Sequence, residues 1–340
     1  MPISKMLFAS LFLVASSALA DDGTRVTPDN FVRAESDMYF AVSAKEAGIG
    51  KIFHRREPFD VEHQTVVRGN RDTLYSSGVF DLDAGPVTIT MPDAGNRFMS
   101  LMTVNQDHYV TGVYHGAGSH TLTKDATGSR YVFAAVRTLV DPGKEGDADE
   151  VHKLQDAIKV EQPGGPGKLE LPTWDKASQD KVRSALLALN ATMDSFNRAF
   201  GSKNEVDPIN HLIGTAAGWG GNPDSEATYI AVTPEKNDGT TIYTLHVPAD
   251  VPVDGFWSVS RYNSEGFFVP NPQKAYSVNN LTAAKDNDGG ITIQFGGCDG
   301  KASNCLPVEA GWNYTVRLYR PQPQVLDGSW TFPEPQPQPQ

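Results

Sequence analysis

The sequence has very little cysteine. Two cysteines occur among 340 residues, Cys298 and Cys305, and both lie in the short stretch GGCDGKASNCLP. This is not the C-x-x-C spacing of a zinc or thiol-redox site, and no histidine accompanies the pair, which argues against both kinds of site. Two cysteines separated by a short glycine-containing loop are typical of a local disulfide in an exported protein. We therefore predict a Cys298–Cys305 disulfide.

The chain also lacks a long apolar segment and an excess of positive charge. Beyond the N-terminus no segment approaches the roughly 18 to 20 apolar residues that a membrane helix requires. The 29 basic residues stand against 41 acidic residues, which gives a net charge of −12. Such a charge disfavours binding to a phosphate backbone or to an anionic membrane surface. We predict neither a nucleic-acid partner nor membrane insertion.

The first 20 residues have the pattern of a secretory signal peptide. They contain Lys5, an apolar run from Met6 to about Ala15, and the small residues Ala18 and Ala20 ahead of two acids. The run is too short to span a bilayer, and the small residues fit cleavage after Ala20. The sequence therefore predicts a soluble protein that is periplasmic or secreted.

Familiar catalytic and nucleotide-binding motifs are missing as well. The sequence has no G-x-S-x-G elbow and no Walker loop, and it does not alternate strands with helices as an α/β hydrolase does. The glycine-rich stretch GTAAGWGG, residues 214–221, has no lysine and follows no predicted strand. We predict no cofactor.

Short strand-like segments dominate two regions of the chain. Residues 65–140 and 228–318 contain segments such as PVTITMP and YTVRLYRP, separated by Gly, Asp and Asn. Several short strands with close turns indicate antiparallel sandwiches or barrels. Residues 27–48 have helix start and stop signals instead, and a helical pattern returns between residues 147 and 200.

The predicted fold is mainly β, with two jelly-roll-like antiparallel β-sandwich domains, an N-terminal helix and an interdomain helical segment. The predicted boundaries are a signal peptide at 1–20, an N-terminal helical segment at 21–64, a first β domain at 65–146, a helical connector at 147–227, a second β domain at 228–332 and a disordered Pro/Gln tail at 333–340.

The two β regions contain similar stretches in the same order. Residues 91–110 and 251–269 each run from a proline through a glycine to an aromatic residue, a serine, an asparagine and an acid. The matched pairs are Phe98 with Phe256, Ser100 with Ser258, Asn105 with Asn263, and Asp107 with Glu265. A second match, near the end of each region, pairs Arg137 with Arg317. We interpret the two domains as copies of one sandwich and the duplicated arginines as structural.

These stretches resemble a bacterial family with two paired domains of unknown function, DUF1254 and DUF1214. NRDTLYSSGVFDLDAGPVTITMPDAGNRF, with Arg137 and DADEVHKLQDAI after it, is similar to the first domain. DGFWSVSRYNSEGFFVPNPQKAYSV and NCLPVEAGWNYTVRLYRPQPQVLDGSW are similar to the second, although the family pattern leads us to expect a tryptophan at Cys305. The resemblance covers roughly residues 31–330. It implies a double jelly-roll-like architecture and allows a homo-oligomer, but it implies no particular reaction.

The main candidate site residues lie at the entry of the first predicted strand, in GNRDTLYSS. Asn70, Arg71 and Asp72 precede a segment that alternates like a strand. One interpretation is structural, because a bidentate pair between an arginine and a carboxylate could hold the entry of the strand. The other interpretation is a ligand site.

In the ligand-site interpretation, one cleft collects residues from two stretches of the first β region. Its members would be Arg71, Tyr75, Asp107 and Tyr109. Arginine would bind a ligand carboxylate, the tyrosines would stack on the ligand or donate to it, and Asp107 with His108 could act as a base. Asn70 and Asp72 flank this arginine and complete the predicted binding set.

A metal site is the weaker chemical hypothesis. His108, His115 and His120 lie close together in DHYVTGVYHGAGSH. On a plain strand, residues seven apart point to opposite faces, so these histidines converge only if a bulge or turn intervenes. Exposed or hydrogen-bonded loop histidines that bind no metal are the favoured explanation of the pattern.

Two classes of function remain. The first is a small-molecule-binding, glycan-binding or assembly protein of the cell envelope. The alternative is a metal-independent hydrolase-like enzyme with its site around Arg71, Tyr75, Asp107 and His108. The first class is favoured, because the sequence contains no established catalytic spacing.

Overall fold

The computed structural model describes residues 23–64, 67–193 and 195–338. The predicted signal peptide at residues 1–20 lies outside the described residues. Within them the fold is mainly β, with 16 strands in four sheets and six α-helices, and this confirms the predicted fold class. None of the described helices is long and apolar enough to cross a membrane.

The elements follow one another in chain order. The helices are α1 (Phe31–Ala47), α2 (Lys124–Thr127), α3 (Asp147–Asp156), α4 (Lys176–Asn190), α5 (Pro208–Gly218) and α6 (Pro323–Leu326). The strands are β1 (Phe53–His54), β2 (Thr73–Asp81), β3 (Val87–Met91), β4 (Met99–Asn105), β5 (Val110–His115), β6 (Gly118–Leu122), β7 (Tyr131–Leu139), β8 (Lys159–Glu161), β9 (Ala227–Val232), β10 (Tyr243–Val247), β11 (Trp257–Tyr262), β12 (Ser277–Asn279), β13 (Ile291–Phe295), β14 (Cys305–Leu306), β15 (Asn313–Tyr319) and β16 (Gln336–Pro337).

Helix α1 follows the signals in the sequence. It starts shortly after Pro28 and ends at Gly48, whose φ of 84° suits a glycine. Its buried side includes Phe31 and Phe40, and also the polar residue Glu35. An ion pair between Glu35 and Arg183 ties α1 to α4. The helix is therefore part of the helical layer that covers the first domain.

The first sandwich packs a five-stranded sheet on a three-stranded sheet. The strand orders are β1-β2-β7-β4-β5 and β6-β3-β8. Alternate residues of the long sheet, such as Phe80, Leu101 and Val136, face the small sheet and meet Ile89 of β3 in one apolar core. This alternation is the period-two geometry of a strand with one face in the core.

The second sandwich packs two four-stranded sheets on each other. Their strand orders are β12-β11-β15-β9 and β14-β13-β10-β16. The core is rich in aromatic side chains, among them Trp257, Phe295 and Trp312. The predicted disulfide between Cys298 and Cys305 is present and closes the loop between β13 and β14.

The two sandwiches share one strand order. The run β2-β7-β4-β5 of the first corresponds to β9-β15-β11-β12 of the second, and β6-β3-β8 corresponds to β13-β10-β16. The turns after β4 and β11 also match, because Asn105 and Asn263 each accept hydrogen bonds from the amides two and four residues later. These matches support the interpretation of the domains as copies of one sandwich, whereas a jelly-roll connection pattern stays a prediction.

The helical connector differs from the predicted one. Helix α4 ends at Asn190 instead of continuing to Phe200, and α5 was not predicted as a helix. The sequence does carry a start signal for α5, since Asp207 caps it and Pro208 occupies its first turn. Strand β8 lies within the predicted connector but pairs with β3 of the first sandwich.

The prediction of a disordered tail is wrong for part of its length. Gln336 and Pro337 form β16 and pair with Thr244 and Tyr243 of β10. Gln338 also donates to the Thr244 hydroxyl at 2.6 Å. Proline is tolerated here because β16 is an edge strand, where its missing amide leaves no ladder bond broken.

The outer faces of the two long sheets, which point away from the cores, are covered differently. In the first sandwich, Phe40 of α1 and Trp219 pack on Val79 and Phe133. In the second sandwich, an irregular loop covers the sheet, and we call its residues 67–72 the strap. The carbonyl of Arg68 in the strap accepts a hydrogen bond from Arg317 of β15 at 2.8 Å.

Candidate functional site

The strap carries the Asn-Arg-Asp cluster that stands out in the sequence. Asn70 Nδ2 donates to the hydroxyls of Tyr75 (3.1 Å) and Tyr319 (2.9 Å), one from each sandwich. Its Oδ1 accepts a hydrogen bond from the amide of Asp72 at 2.8 Å. An asparagine side chain offers two donors and one carbonyl acceptor, and Asn70 uses both kinds of group. It therefore connects the two sandwiches.

Asp72 is a buried carboxyl between the sandwiches, with 2% of its surface exposed. Its Oδ2 accepts from the Ser258 hydroxyl at 2.6 Å, whereas Oδ1 has no hydrogen-bond partner within the described residues. Burial raises the pKa of Asp72, although the Arg317 charge and the hydroxyls of Ser258 and Ser277 act in the opposite direction. The carboxyl therefore keeps its proton to a higher pH than an exposed aspartate does.

Arg71 does not form the predicted bidentate pair with Asp72, so that structural interpretation is wrong. Its guanidinium donates to the carbonyl oxygen of Phe59 and lies over Tyr276, with Cζ 4.9 Å from the ring centroid. Burial lowers the pKa of Arg71, yet an arginine keeps its charge at any physiological pH. Asp72 instead turns to Ser258 of the second sandwich, so the two neighbouring side chains have different partners.

Arg71 and Asp72 border a cavity of about 260 Å³ between the two sandwiches, which we call the seam cavity. The first sandwich supplies these two residues and the chain at 140–143, and the second supplies residues 274–279 and 303–306. Lys274 adds a second cation from a strained position, because its φ of 52° lies in the left-handed region. The cavity thus combines two cations, a buried carboxyl and several hydroxyl and amide groups.

The predicted single cleft is wrong, because the sheet register separates its members. Tyr75 lies opposite Arg137 of β7, whereas Asn105, which precedes residues 107–109, lies opposite Val132. At about 3.3 Å per residue, the two points are about 16 Å apart along the strand. Arg71 and Tyr75 therefore lie at one end of the long sheet, and the residues after Asn105 lie at the other.

Asp107 and Tyr109 bind to the helical layer and do not line the seam cavity. Asp107 Oδ1 accepts from Arg33 of α1 at 2.6 Å in a half-exposed ion pair. The ring of Tyr109 stacks on His211 of α5, with 4.8 Å between ring centroids. Both residues therefore fix the turn after β4 against helices.

His108 is fully enclosed and neutral. The amide of Gly220 donates to its Nε2 at 2.8 Å, so the proton resides on Nδ1, 2.7 Å from the Thr215 hydroxyl. Burial lowers the pKa of His108 well below its usual range, and the neighbouring His211 acts in the same direction. Its ring lies between Trp219 and His211, at 5.2 and 5.4 Å. A histidine held this way has no route to a substrate, so the predicted base role is wrong.

The predicted metal set does not converge. His115 Nε2 lies 2.7 Å from Glu226, and His120 stacks on Tyr114 at 4.0 Å between centroids. His108 is occupied as described above. Across the part of the chain that the structure describes, no group of three or more His, Cys, Asp or Glu side chains could hold a metal ion.

Sequence reasoning missed the half of the seam cavity that comes from the second sandwich. Lys274, Tyr276 and Ser277 border this cavity. In the sequence they lie in the second region of strand-like segments, and the strand pattern does not distinguish them from their neighbours. They come within reach of Arg71 only because the strap crosses from one sandwich to the other. The one local signal is the run NPQKAY, where a lysine follows turn-forming residues.

The comparisons with known proteins agree with this architecture. A family model described as "Protein of unknown function (DUF1254)" matches residues 49–162, and one described as "Protein of unknown function (DUF1214)" matches residues 227–323. A search of curated proteins gives no match.

Two solved structures are similar to the chain over most of its length. One is the VPA0106 protein from Vibrio parahaemolyticus, with 18% identity, a TM-score of 0.70, and coverage of 92% of this chain and 98% of that one. The other is an uncharacterized protein from Burkholderia cenocepacia, with 13% identity, a TM-score of 0.51, and coverage of 91% and 86%. At these identities the likeness concerns the fold alone. With both family models matched in order, this chain belongs to the family that pairs a DUF1254 domain with a DUF1214 domain.

Proposed function

We propose that this chain is an exported binding protein that holds a small, hydroxyl-rich organic anion in the seam cavity. The observation that carries the proposal is the pair of cations Arg71 and Lys274 at one cavity between two domains. Neither cation forms an ion pair with a carboxylate among the described residues. Sites between domains that converge a few polar groups are the usual places for small ligands.

The buried carboxyl favours an anion over a cation. Because burial raises the pKa of Asp72, this group is neutral over a wider pH range than an exposed aspartate and repels an anion less. The second acid at the cavity, Asp141, already accepts a hydrogen bond from the amide of Gly143 at 2.9 Å. With Asp72 neutral, two cations stand against one carboxylate at the cavity, so the local charge is positive.

The backbone of Lys274 adds an independent argument. A non-glycine residue in the left-handed region costs roughly 1 to 2 kcal/mol, and such strain clusters at ligand sites. Lys274 has this conformation and borders the cavity. Among the described non-glycine residues with a positive φ, Lys274 alone borders the seam cavity, which supports a role for its ammonium group in binding.

Binding is favoured over hydrolysis by the composition of the cavity wall. Among the described residues that border the seam cavity there is no histidine, so no imidazole stands ready to activate Ser277 or Ser303. The hydrolase alternative rested on Asp107 and His108, which lie elsewhere. Export is supported by the signal-peptide pattern and by a disulfide, which persists in oxidising compartments. Self-association stays a prediction, to be measured by sedimentation velocity.

The test is calorimetric binding to sugar acids and simple hydroxy acids, with neutral sugars of the same size as the comparison. We expect an acid to bind and its neutral analogue to bind at least tenfold more weakly, since a hydrogen bond to a charged group is worth about 1.5 to 3 kcal/mol. Arg71→Gln and Lys274→Asn should each weaken binding about tenfold or more.

Lys301→Gln is the matched control, because this lysine is 88% exposed, pairs with Asp299 within the disulfide loop and does not border the seam cavity. Asparagine tolerates the left-handed region, so Lys274→Asn should fold normally. Full affinity in Lys274→Asn, or no acid in the panel that binds, would refute the proposal.

A further inference from the structure

A second cavity lies beside the seam cavity, with a volume of about 280 Å³. Thr244 of β10 and Thr292 and Gln294 of β13 form its floor, Lys285 stands at one side, and Gln338 comes from the chain that follows β16. We call it the tail cavity. It lies wholly within the second sandwich, and the chain segment predicted as a disordered tail forms one of its walls.

The two cavities adjoin through a pair of short segments that run side by side. Asn304 joins these segments, because its Oδ1 accepts from the amide of Ala284 at 3.0 Å and its Nδ2 donates to the carbonyl of Ala284 at 2.8 Å. Residues 282–283 and 305–306 border the seam cavity, whereas residues 284–286 and 302 border the tail cavity. Ser303 and Asn304 border both. Ser303 and Asn304 therefore form the wall that the two cavities share, and a ligand that spans both would cross it.

The chemistry of the tail cavity suits hydroxyl groups. Gln338 Nε2 donates to the Thr244 hydroxyl at 2.6 Å, and Gln294 Nε2 donates to the carbonyl of Gly296 at 2.8 Å. The carbonyl oxygens of both glutamine side chains can therefore accept from a ligand. Lys285 adds three donors and a positive charge, and its wall neighbours Ala284 and Ala302 are small. No aromatic side chain is among the described residues that border this cavity.

Size points to a ligand that occupies both cavities. Pockets for small ligands usually measure about 300 to 1,000 Å³. Each cavity alone falls just below this range, and the two joined fall within it. Two compartments of nearly equal volume, one with Arg71 and Lys274 and the other with Lys285 beside the carboxylate of Asp286, match a chain built from similar polar units.

We propose that the seam and tail cavities are adjacent subsites for one acidic oligosaccharide, with an acid unit at Arg71 and Lys274 and the next unit at Lys285 and Gln338. This inference rests on the proposed function, because the seam cavity supplies the first subsite. It adds a second subsite, a polymeric class of ligand and a role for the C-terminal chain.

The experiment measures calorimetric affinities for uronic acid monosaccharides and for their oligomers of two to four units, taken from pectin, alginate and hyaluronan. We expect an oligomer to bind at least tenfold more tightly than its own monomer. Neutral malto-oligosaccharides of the same length should show no such gain.

Variants separate the two subsites. Lys285→Gln and Thr244→Val should remove the gain with length and leave monomer affinity unchanged, because both residues border the tail cavity alone. Lys274→Asn should weaken monomer and oligomer alike, and Lys301→Gln should change neither. Lys285 is exposed, so its replacement should leave the fold intact, which circular dichroism verifies.

The outcomes distinguish this inference from the proposed function. If monomers bind but no oligomer binds more tightly, or if the gain survives in both tail-cavity variants, the second subsite is refuted and the seam cavity stands. If no acid binds at any length, both proposals fail. If oligomers gain affinity over monomers in the wild-type protein, in Lys274→Asn and in the control but not in the two tail-cavity variants, the two-subsite site is established.

Discussion

The two sandwiches share a strand order but have different covers on their long sheets. Helices α1 and α5 and the chain after α5 cover the first sheet, mostly through apolar contacts such as those of Phe40 and Trp219 with Phe133 of β7. The strap covers the second sheet through hydrogen bonds and charges. The same strand order therefore supports a mostly apolar cover in the first sandwich and a polar cover in the second. The seam cavity lies beside the polar cover.

The duplicated arginines show what the scaffold contributes. Arg137 donates to the carbonyl of Gly220 at 2.9 Å and lies over the ring of Tyr75. Arg317 donates to Ser260 and Tyr262, and also to the carbonyls of Arg68 and Gly69 in the strap. In both copies the arginine binds the carbonyl groups of whatever chain covers it. This geometry supports the structural role inferred from the repeat.

The largest expected effect comes from removing these arginines one at a time. Arg317→Met should lower the free energy of unfolding by about 3 to 5 kcal/mol, because it leaves Ser260, Tyr262 and the strap carbonyls of Arg68 and Gly69 without their buried donor, and each unsatisfied buried group costs about 1 to 3 kcal/mol. Arg137→Met loses one such bond and should cost about 1.5 to 3 kcal/mol. Urea unfolding followed by tryptophan fluorescence measures both values.

Equal costs for the two substitutions would contradict the comparison, because they would mean that the strap adds nothing to the common scaffold. Arg261→Met is a useful reference on the neighbouring strand, since its guanidinium pairs with Glu309 and does not contact the strap.

A smaller effect is the pH dependence of the free energy of unfolding, which should have opposite signs for the buried carboxyls Asp147 and Asp72. Arg97 and Asp147 of the first sandwich form a bidentate pair at 2.6 and 2.8 Å, which lowers the pKa of Asp147 to about 2. The stabilisation is present above about pH 4 and is lost as the pH falls toward 2. Asp147→Asn should therefore cost about 2 kcal/mol at pH 7 and almost nothing at pH 2.

Asp72, between the sandwiches, should behave in the opposite way. Its pKa is raised by burial, so its contribution is fully present below about pH 4 and is lost as the pH rises through its folded-state pKa. Asp72→Asn should match the wild type at pH 3 and exceed its stability at pH 8. Denaturant unfolding from pH 3 to 8 checks both variants, and a wild-type advantage over Asp72→Asn at pH 8 would show that Asp72 is held as a carboxylate.

The smallest effect concerns the matched turns after β4 and β11. His108 occupies the left-handed region with a φ of 60°, and Gly266 occupies the equivalent position of the second copy with a φ of 87°. Gly266→Ala should cost about 1 kcal/mol through the backbone alone, because a Cβ there would meet its nearest atom at an ordinary 3.5 Å.

At His108 the cost of a positive φ can be measured as the difference in stability between His108→Gly and His108→Ala, because both variants lack the imidazole ring. His108→Gly should be more stable than His108→Ala by about 1 kcal/mol, the reverse of the usual penalty for glycine. Thermal unfolding of the two variants, with Gly266→Ala beside them, gives the comparison. A more stable His108→Ala would mean that the turns differ once the ring stack is gone.

Local patterns were enough to predict much of the fold. The alternation of segments such as PVTITMP fixes which face of a strand enters the core, and the repeated Asn105 and Asn263 mark the same turn in both copies. The spacing of Cys298 and Cys305 sufficed for the disulfide. Each of these signals acts over a few residues, so single-sequence reasoning can detect it.

The candidate site depends on contacts that no local pattern contains. Arg71 and Asp72 stand out in the sequence, but their partners Tyr276 and Ser258 lie about two hundred residues later in the chain and in the other sandwich. The predicted grouping with Asp107 and His108 failed because it assumed that sequence neighbours of one strand meet those of another, whereas the register places them at opposite ends. Helix α5 was missed because its glycines outweighed its capping aspartate.

The strap also determines the order in which the protein can be completed during synthesis. Its partners Tyr319 and Arg317 are separated from Asn70 and Arg68 by 249 residues each. At about 5 to 20 residues per second, those partners leave the ribosome roughly 10 to 50 seconds after the strap does. For that interval the strands of the first sandwich can pair, while Asp72 and the strap carbonyls await their donors. In a nascent chain that stops before β15, the strands of the first domain can pair, but the strap carbonyls lack the Arg317 donor. We expect chaperones and proteases to bind this form more readily than the full-length protein.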